Sequence, residues 1–179
     1  KEIVMDINKE GGNAIGFSGK DALLVETKKV SAAKSKDLGY VGKPNKIRKN
    51  LLEWILQSHY IPVISPIGFD KNYDTFNINA DTMSGGLASK ILSERLILLT
   101  DVDGVLDENG KLMTEIKIKE ISKLIKKGII SGGMIPKVKT CVDAVQKGVK
   151  AAVILNGKLP HAILFEIFTE HGVGTLITK

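Results

Sequence analysis

The chain has few of the residues that mark secreted or membrane proteins. Cys141 is the single cysteine among 179 residues, so no internal disulfide can form, which is typical of a reducing compartment. No apolar run approaches the ~20 residues needed to cross a bilayer. No basic and apolar leader opens the chain. These features predict a cytoplasmic protein without a membrane partner.

Arginine and aromatic residues are also scarce, which argues against a nucleic-acid partner. The formal charge is +6, yet nearly all basic residues are lysine, and Arg48 and Arg95 are the arginines. Base readout and bidentate phosphate binding depend mainly on arginine. With 5% aromatic residues there is no evident platform for stacking bases. We therefore interpret the lysines as solvated surface and expect small-molecule ligands.

Several catalytic signatures are missing. The chain has no Gly-x-x-x-x-Gly-Lys-Ser/Thr phosphate loop and no Gly-x-Ser-x-Gly nucleophile elbow. His59, His161 and His171 lack the spacing of metal ligands, so surface or capping roles are expected and no metal-binding residue is nominated. Cys141 lies on a helix face without a basic neighbour, which favours a core position over a nucleophile.

Apolar runs alternate with amphipathic stretches along the whole chain. This alternation predicts an α/β protein with a mostly parallel open sheet flanked by helices, an αβα sandwich. Residues 31–38 are polar and weakly patterned, so a loop or hairpin is expected, and the lysine-rich stretch 43–49 resembles a helix entry. Helices are expected at 3–9, 47–57, 85–92, 119–127, 137–147 and 162–168, and strands at 14–17, 23–29, 61–68, 96–100, 151–155 and 174–177.

Two helix starts carry polar residues suited to anions. The first is 77–81, Asn-Ile-Asn-Ala-Asp, and the second is 132–137, Gly-Gly-Met-Ile-Pro-Lys. Helix N-termini attract anions because their first N–H groups lack internal partners and the helix dipole is positive there. Two such ends predict a site that holds two anions close together. Helix capping is the alternative for Asn77 and Asp81, and a solvated surface lysine is the alternative for Lys137.

The segment 101–106, Asp-Val-Asp-Gly-Val-Leu, follows a strongly apolar strand and has three interpretations. It is similar to the nucleophile motif of haloacid-dehalogenase-like phosphatases, to the start of a calcium loop, and to a simple solvated turn. A calcium loop needs Glu at its twelfth position, and that position holds Leu112. The phosphatase needs a downstream acidic pair for its metal, whereas Asp143 lies in mid-helix.

The combination of segments is more specific than any one of them. Asn-Ile-Asn-Ala-Asp at 77–81, Leu-Thr-Asp-Val-Asp-Gly-Val at 99–105 and Ile-Ser-Gly-Gly-Met-Ile-Pro-Lys at 130–137 resemble N-acetylglutamate kinase of the amino-acid kinase family. The resemblance covers essentially all 179 residues. It implies the amino-acid kinase/carbamate kinase-like fold, with 1–92 in the amino-acid-substrate lobe and 93–179 as the nucleotide-binding lobe.

The resemblance implies transfer of the γ-phosphoryl of ATP to the side-chain carboxylate of N-acetyl-L-glutamate in arginine biosynthesis. Asn77 would bind the amino-acid substrate, Asp81 would orient the catalytic lysines, and Lys137 would stabilise charge on the transferring phosphoryl group. Mg²⁺ would arrive with the nucleotide. The nucleotide would contact Asp101, Val102, Asp103, Gly104, Val105, Leu106, Ile129, Ile130 and Ser131.

The family pattern also has an N-terminal part, with a Gly-Gly phosphate loop, a second lysine and a substrate-binding arginine, that is not found in these residues. An inactive nucleotide-binding fragment is therefore one alternative, and a phosphatase using Asp101 is another. Glu166 and Gly172 match members that arginine inhibits, but Val153 stands where those members carry a His, which leaves feedback open. A homo-oligomer, dimer or hexamer, is expected from the family.

Overall fold

The computed structural model describes residues 1–30, 38–169 and 172–179. The chain divides into two compact units, Lys1–Ile91 and Leu92–Lys179. The loop or hairpin expected at 31–38 lies outside the described residues except for its last position, and so does His171. Each helix of the described part is too short or too polar to cross a membrane.

The first unit combines a two-stranded parallel sheet with a small closed barrel. Strand β1 pairs in parallel with β4, while β2, β3, β6 and β5 close the barrel in that order. Leu24, Ile78 and Met83 form part of the core between the barrel strands and helices α2 and α3. The elements are α1 Glu2–Lys9, β1 Ala14–Ser18, β2 Val25–Lys29, β3 Val41–Ile47, α2 Lys49–Gln57, β4 Ile61–Ser65, β5 Ile67–Phe69, β6 Thr75–Ile78 and α3 Ala80–Ile91.

The expectation that the lysine-rich stretch enters a helix was wrong. Lys43 and Lys46 lie in β3, which pairs antiparallel with β2, and the helix begins only at Lys49. Pro44 lacks an N–H and normally avoids central strands. Here it stands opposite Thr27, beside the point where the register shifts between Glu26 and Thr27, so an irregular ladder accommodates it.

The single buried strand expected at 61–68 is two strands with Pro66 between them. None of the β4 residues is fully buried, because β4 belongs to a sheet of two strands in which β1 is its partner. The next strand, β6, was also missed. Its Thr75 and Asn77 are exposed while Phe76 and Ile78 are buried, so it has the period of two typical of a strand.

The second unit is built on a four-stranded sheet in the order β7-β9-β10-β8. The pairs β7–β9 and β10–β8 are parallel, and β9–β10 is antiparallel. Strand β8 was missed, since it has only three residues. The elements are β7 Arg95–Thr100, β8 Glu115–Lys117, α4 Ile118–Lys126, α5 Met134–Gln146, β9 Ala151–Asn156, α6 Ala162–Phe168 and β10 Thr175–Thr178.

Helices cover both faces of this second sheet. Four consecutive residues of β9, from Ala152 to Leu155, are buried, which requires cover on each side of the pleat. Val153 and Leu155 pack with Ala162 of α6, and α5 packs on β9 through a face that includes the buried Cys141. The predicted α/β class with parallel-rich sheets flanked by helices is confirmed, and so is the core position of Cys141.

Candidate functional site

One polar arrangement of the second unit lies where β7 and β9 end. These strands are parallel and in register, with Thr100 opposite Asn156, so their carboxyl ends share one edge of the sheet. The ladder continues past the strand ends, because the Gly157 N–H donates to the Thr100 carbonyl at 2.8 Å. Open α/β sheets bind ligands at this kind of edge. The predicted nucleotide segment, Asp101–Leu106, begins there.

Gly104 and Val105 hold the far end of that segment against the last strand. The Val105 N–H donates to Thr175 Oγ1 at 2.8 Å, and both residues are buried. Gly104 has φ +146°, and a Cβ on it would lie 2.5 Å from Thr175 Oγ1 and 2.8 Å from Leu112 Cδ1. Only glycine fits this backbone without displacing its neighbours. The turn is thus fixed by packing on one side and by a buried hydrogen bond on the other.

Asn156 is a residue of this edge that sequence reasoning missed. Its Nδ2 donates to Asp103 Oδ1 at 2.8 Å, and its Oδ1 accepts the Lys158 N–H at 2.9 Å. A signal was available, because the polar Asn156 ends the apolar run 151–155, much as Thr100 and Asp101 end the apolar run 96–99. The contact with Asp103 itself depends on the pairing of β7 with β9, which local sequence does not reveal.

Helix α5 begins at Met134, three residues before the start expected from sequence, and Lys137 stands in its first turn. Because α5 packs on β9 and leads into it through a short turn, the start of α5 lies at the edge where β9 ends. The preceding segment turns at Gly132, with φ +52°. Its Ile130 is buried and Ser131 is exposed. The structure thus brings the start of α5 and the Asp101 segment to one edge.

In the first unit, Asn79 rather than Asn77 is the N-cap residue of helix α3. Asn79 Oδ1 accepts the Thr82 N–H at 3.1 Å, which is the usual N-cap bond. Asn77 lies in β6 with an exposed side chain, and Asp81 is half-buried in the first turn of α3. The capping alternative for Asn77 was therefore wrong. Asp81 belongs to the first unit and Lys137 to the second, and the closeness of the two helix starts stays a prediction.

A second polar cluster in the first unit joins the end of β1 to the turn that follows it. The Ser18 N–H and hydroxyl both donate to Asp21 Oδ2, at 2.6 and 2.7 Å. These hydrogen bonds from Ser18 hold the pKa of Asp21 below its ordinary value. Lys20 Nζ donates to Thr75 Oγ1 at 2.6 Å, which ties the same turn to β6.

Glu166 is the most deeply buried carboxylate of the second unit's described residues, with 7% of its surface exposed. Arg95 Nη1 donates to its Oε1 at 3.2 Å and to its backbone carbonyl at 2.9 Å. The pair lines a cavity of about 340 Å³ that also includes Gly172. Val153 occupies the position at which a His was looked for in the sequence, and it is fully buried. No three His, Cys, Asp or Glu of the described chain are grouped so that they could hold a metal ion.

Comparison with known sequences identifies the family. The sequence model of the "Amino acid kinase family" matches residues 1–156. The chain belongs to the amino acid kinase family. It is 48% identical to the acetylglutamate kinase of Methanosphaera stadtmanae over 190 aligned positions, which cover 99% of this chain and 64% of that protein. The chain spans 61–64% of the length of this and the similar curated acetylglutamate kinases.

Solved structures confirm the fold of this amino acid kinase family member. An N-acetylglutamate synthase from Neisseria gonorrhoeae superposes with a TM-score of 0.82 at 24% identity, covering 94% of this chain and 38% of that one. A carbamate kinase from Giardia superposes with a TM-score of 0.67 at 23% identity, covering 98% and 66%. At these identities the likeness shows the fold alone, and it confirms the predicted amino-acid kinase/carbamate kinase-like architecture.

Proposed function

We propose that this protein moves the γ-phosphoryl group of ATP to the side-chain carboxylate of N-acetyl-L-glutamate, as a step of arginine biosynthesis. The observation that carries the proposal is the 48% identity to an acetylglutamate kinase over 99% of the chain. A carboxylate oxygen would attack the γ-phosphorus, and the bond to the bridging oxygen of ADP would break. The product is an acyl phosphate.

The chemistry needs positioning and charge neutralisation more than a general base. The acceptor carboxylate is already ionised at neutral pH, so no proton has to be removed from it. Catalysis then rests on bringing two anions together and on stabilising charge on the transferring oxygens. Lys137 fits this role. Its ammonium stands in the first turn of α5, where the helix dipole disfavours a cation, and a bound phosphate anion would offset that cost.

We assign nucleotide binding to the second unit, through Asp101–Leu106 and Ile129–Ser131. Turns at strand ends expose backbone N–H and C=O groups that suit an adenosine held mostly by main chain. Mg²⁺ would enter with the ATP phosphates, which with water supply most of its ligands and whose charge it offsets. No residue of this chain is assigned as a direct magnesium ligand.

We assign the amino-acid substrate to the first unit. The Asn77 side chain is exposed on β6 and the capping of α3 is done by Asn79, which supports a ligand-binding role for the Asn77 amide. Asp81 would orient the catalytic lysines, as the family resemblance implies. A homo-oligomer, dimer or hexamer, and a cytoplasmic location complete the proposal.

A second candidate is nucleotide binding without turnover. The chain spans 61–64% of the length of these relatives, so turnover is tested separately from nucleotide binding. Calorimetric titration of the 179-residue chain with MgADP and then with N-acetylglutamate separates the candidates. Binding of both ligands, together with acyl-phosphate formation when MgATP is supplied in place of MgADP, supports the kinase. MgADP binding without turnover of MgATP supports the second candidate, and binding of neither ligand contradicts both.

The site residues are tested by paired substitutions. Lys137→Ala is expected to lower kcat by at least ~10²-fold, the scale of losing one transition-state charge partner, while Lys139→Ala on the exposed face of the same helix serves as control. Asn77→Ala should weaken N-acetylglutamate binding and leave MgADP affinity unchanged, with the exposed Asn72→Ala as its control. Equal rates for the two lysine variants would remove Lys137 from the mechanism.

A further inference from the structure

Asn156 connects the ends of the two neighbouring strands on which the nucleotide segment depends. It is the last residue of β9 and pairs in register with Thr100, the last residue of β7. From there its side chain reaches across the strand end to Asp103, in the middle of the segment Asp101–Leu106. The chain therefore holds this segment from two directions, by Asn156 at Asp103 and by Thr175 at Val105.

The orientation of the Asn156 amide is determined by its second partner. Lys158 offers a backbone N–H, which only the amide oxygen can accept, so Oδ1 faces Lys158 at 2.9 Å. The amide nitrogen is thereby directed at Asp103 Oδ1, 2.8 Å away. A hydrogen bond to an ionised carboxylate is stronger than one between neutral groups. Asn156 is half-buried and Asp103 is exposed, so this hydrogen bond lies at the surface of the sheet edge.

We propose that Asn156 is a positioning residue for the nucleotide: it holds Asp101–Leu106 in the conformation that receives MgATP. This inference rests on the proposed function. A flexible segment that becomes ordered on binding loses conformational entropy, and affinity falls by that cost. A segment already held at Asp103 avoids part of this loss. Asn156 acts through Asp103, so its removal should weaken nucleotide affinity and leave the amino-acid substrate site unaffected.

Asn156→Asp tests the inference with the least change in shape. The new carboxylate can still accept the Lys158 N–H, but it places a second negative oxygen against Asp103 instead of a donor. We expect MgADP affinity to fall about five- to tenfold. In an Asp103→Asn background the same substitution should cost little, because the amide introduced at position 103 can donate to the new carboxylate. Asn109→Asp, an exposed change of the same kind nearby, is the control.

Hydrogen exchange of the ligand-free chain supplies a readout that does not depend on the nucleotide. The amides of Asp101–Leu106 should exchange faster in Asn156→Asp, slow again in the double variant, and remain as in wild type in Asn109→Asp. Unchanged exchange, or an equal loss of MgADP affinity in both backgrounds, would overturn the inference. Failure of the wild-type chain to bind MgADP at all would instead remove the nucleotide site, and the inference would fall with it.

Discussion

Thr175→Val should destabilise the second unit by removing one buried hydrogen-bond acceptor. Thr175 Oγ1 accepts the Val105 N–H at 2.8 Å, and the exposed fractions of these residues are 0% and 2%. Water therefore cannot replace the lost oxygen. Leaving a buried backbone donor unpaired costs about 1–3 kcal/mol. In a unit of this size each 1 kcal/mol lowers Tm by roughly 4–8 °C.

The control for this change is Thr175→Ser. Serine keeps the hydroxyl oxygen and loses one buried methyl group, for which about 0.5–1.5 kcal/mol is expected by analogy with other single-methyl deletions. Only the valine variant releases Val105, which lies in the proposed nucleotide segment. MgADP affinity should therefore fall in Thr175→Val and stay near the wild-type value in Thr175→Ser.

The assay must follow the second unit. Trp54, the chain's single tryptophan, lies in the first unit, so its fluorescence would not report directly on the unfolding of the second. Scanning calorimetry measures the change in Tm, and hydrogen exchange at β9 and β10 shows whether the second unit is the part that is destabilised. If Thr175→Val proves as stable as Thr175→Ser, and binds MgADP equally well, the buried hydrogen bond contributes neither to stability nor to the site.

Two further predictions concern the first unit. Asn79→Ala should lower its free energy of unfolding by about 0.5–2 kcal/mol, since a helix cap is lost, whereas Asn77→Ala should change that free energy little. Urea titration followed by tryptophan fluorescence compares the two variants. Equal losses of stability would contradict the assignment of the cap to Asn79. Asp21→Asn removes a carboxylate whose pKa is lowered by the Ser18 donors. Because that pKa is lowered in the folded state, its contribution is present above pH ~4 and is lost as pH falls further. The wild-type advantage, below about 1 kcal/mol for so exposed a group, should therefore be seen at pH 7 and shrink by pH 3; a constant difference would refute the linkage.

The elements that sequence predicted well are those whose signal is local. The strands β7 and β9 are continuous apolar runs, and burial on both faces of β9 explains why no alternation appears. Helix α4 carries its apolar residues on one face, and its expected and observed bounds differ by one residue at each end. In these segments the side chains alone specify both the type of element and its buried face.

Strands that depend on non-local pairing were missed. Strand β3 contains Gly42, Pro44 and two lysines, which individually disfavour a strand. It exists because β2 and β6 supply its hydrogen-bond partners. Strand β8 has three residues and pairs with β10, far away in sequence. No window of local sequence contains the information about either partner, so tertiary context decides these elements.

The candidate site shows the same division between local and non-local information. Asp101–Leu106 could be nominated because a strand end followed by polar residues and glycine is visible in one stretch of sequence. The residues that hold this segment, Asn156 and Thr175, lie more than fifty positions away and reach it through the pairing of β7, β9 and β10. Local sequence therefore identifies groups able to meet a ligand, whereas the groups that keep them in place follow only from the register of the sheet. For this reason the substitutions at Asn156 and Thr175 test the fold and the proposed function together, while substitution of Lys137 tests the chemistry alone.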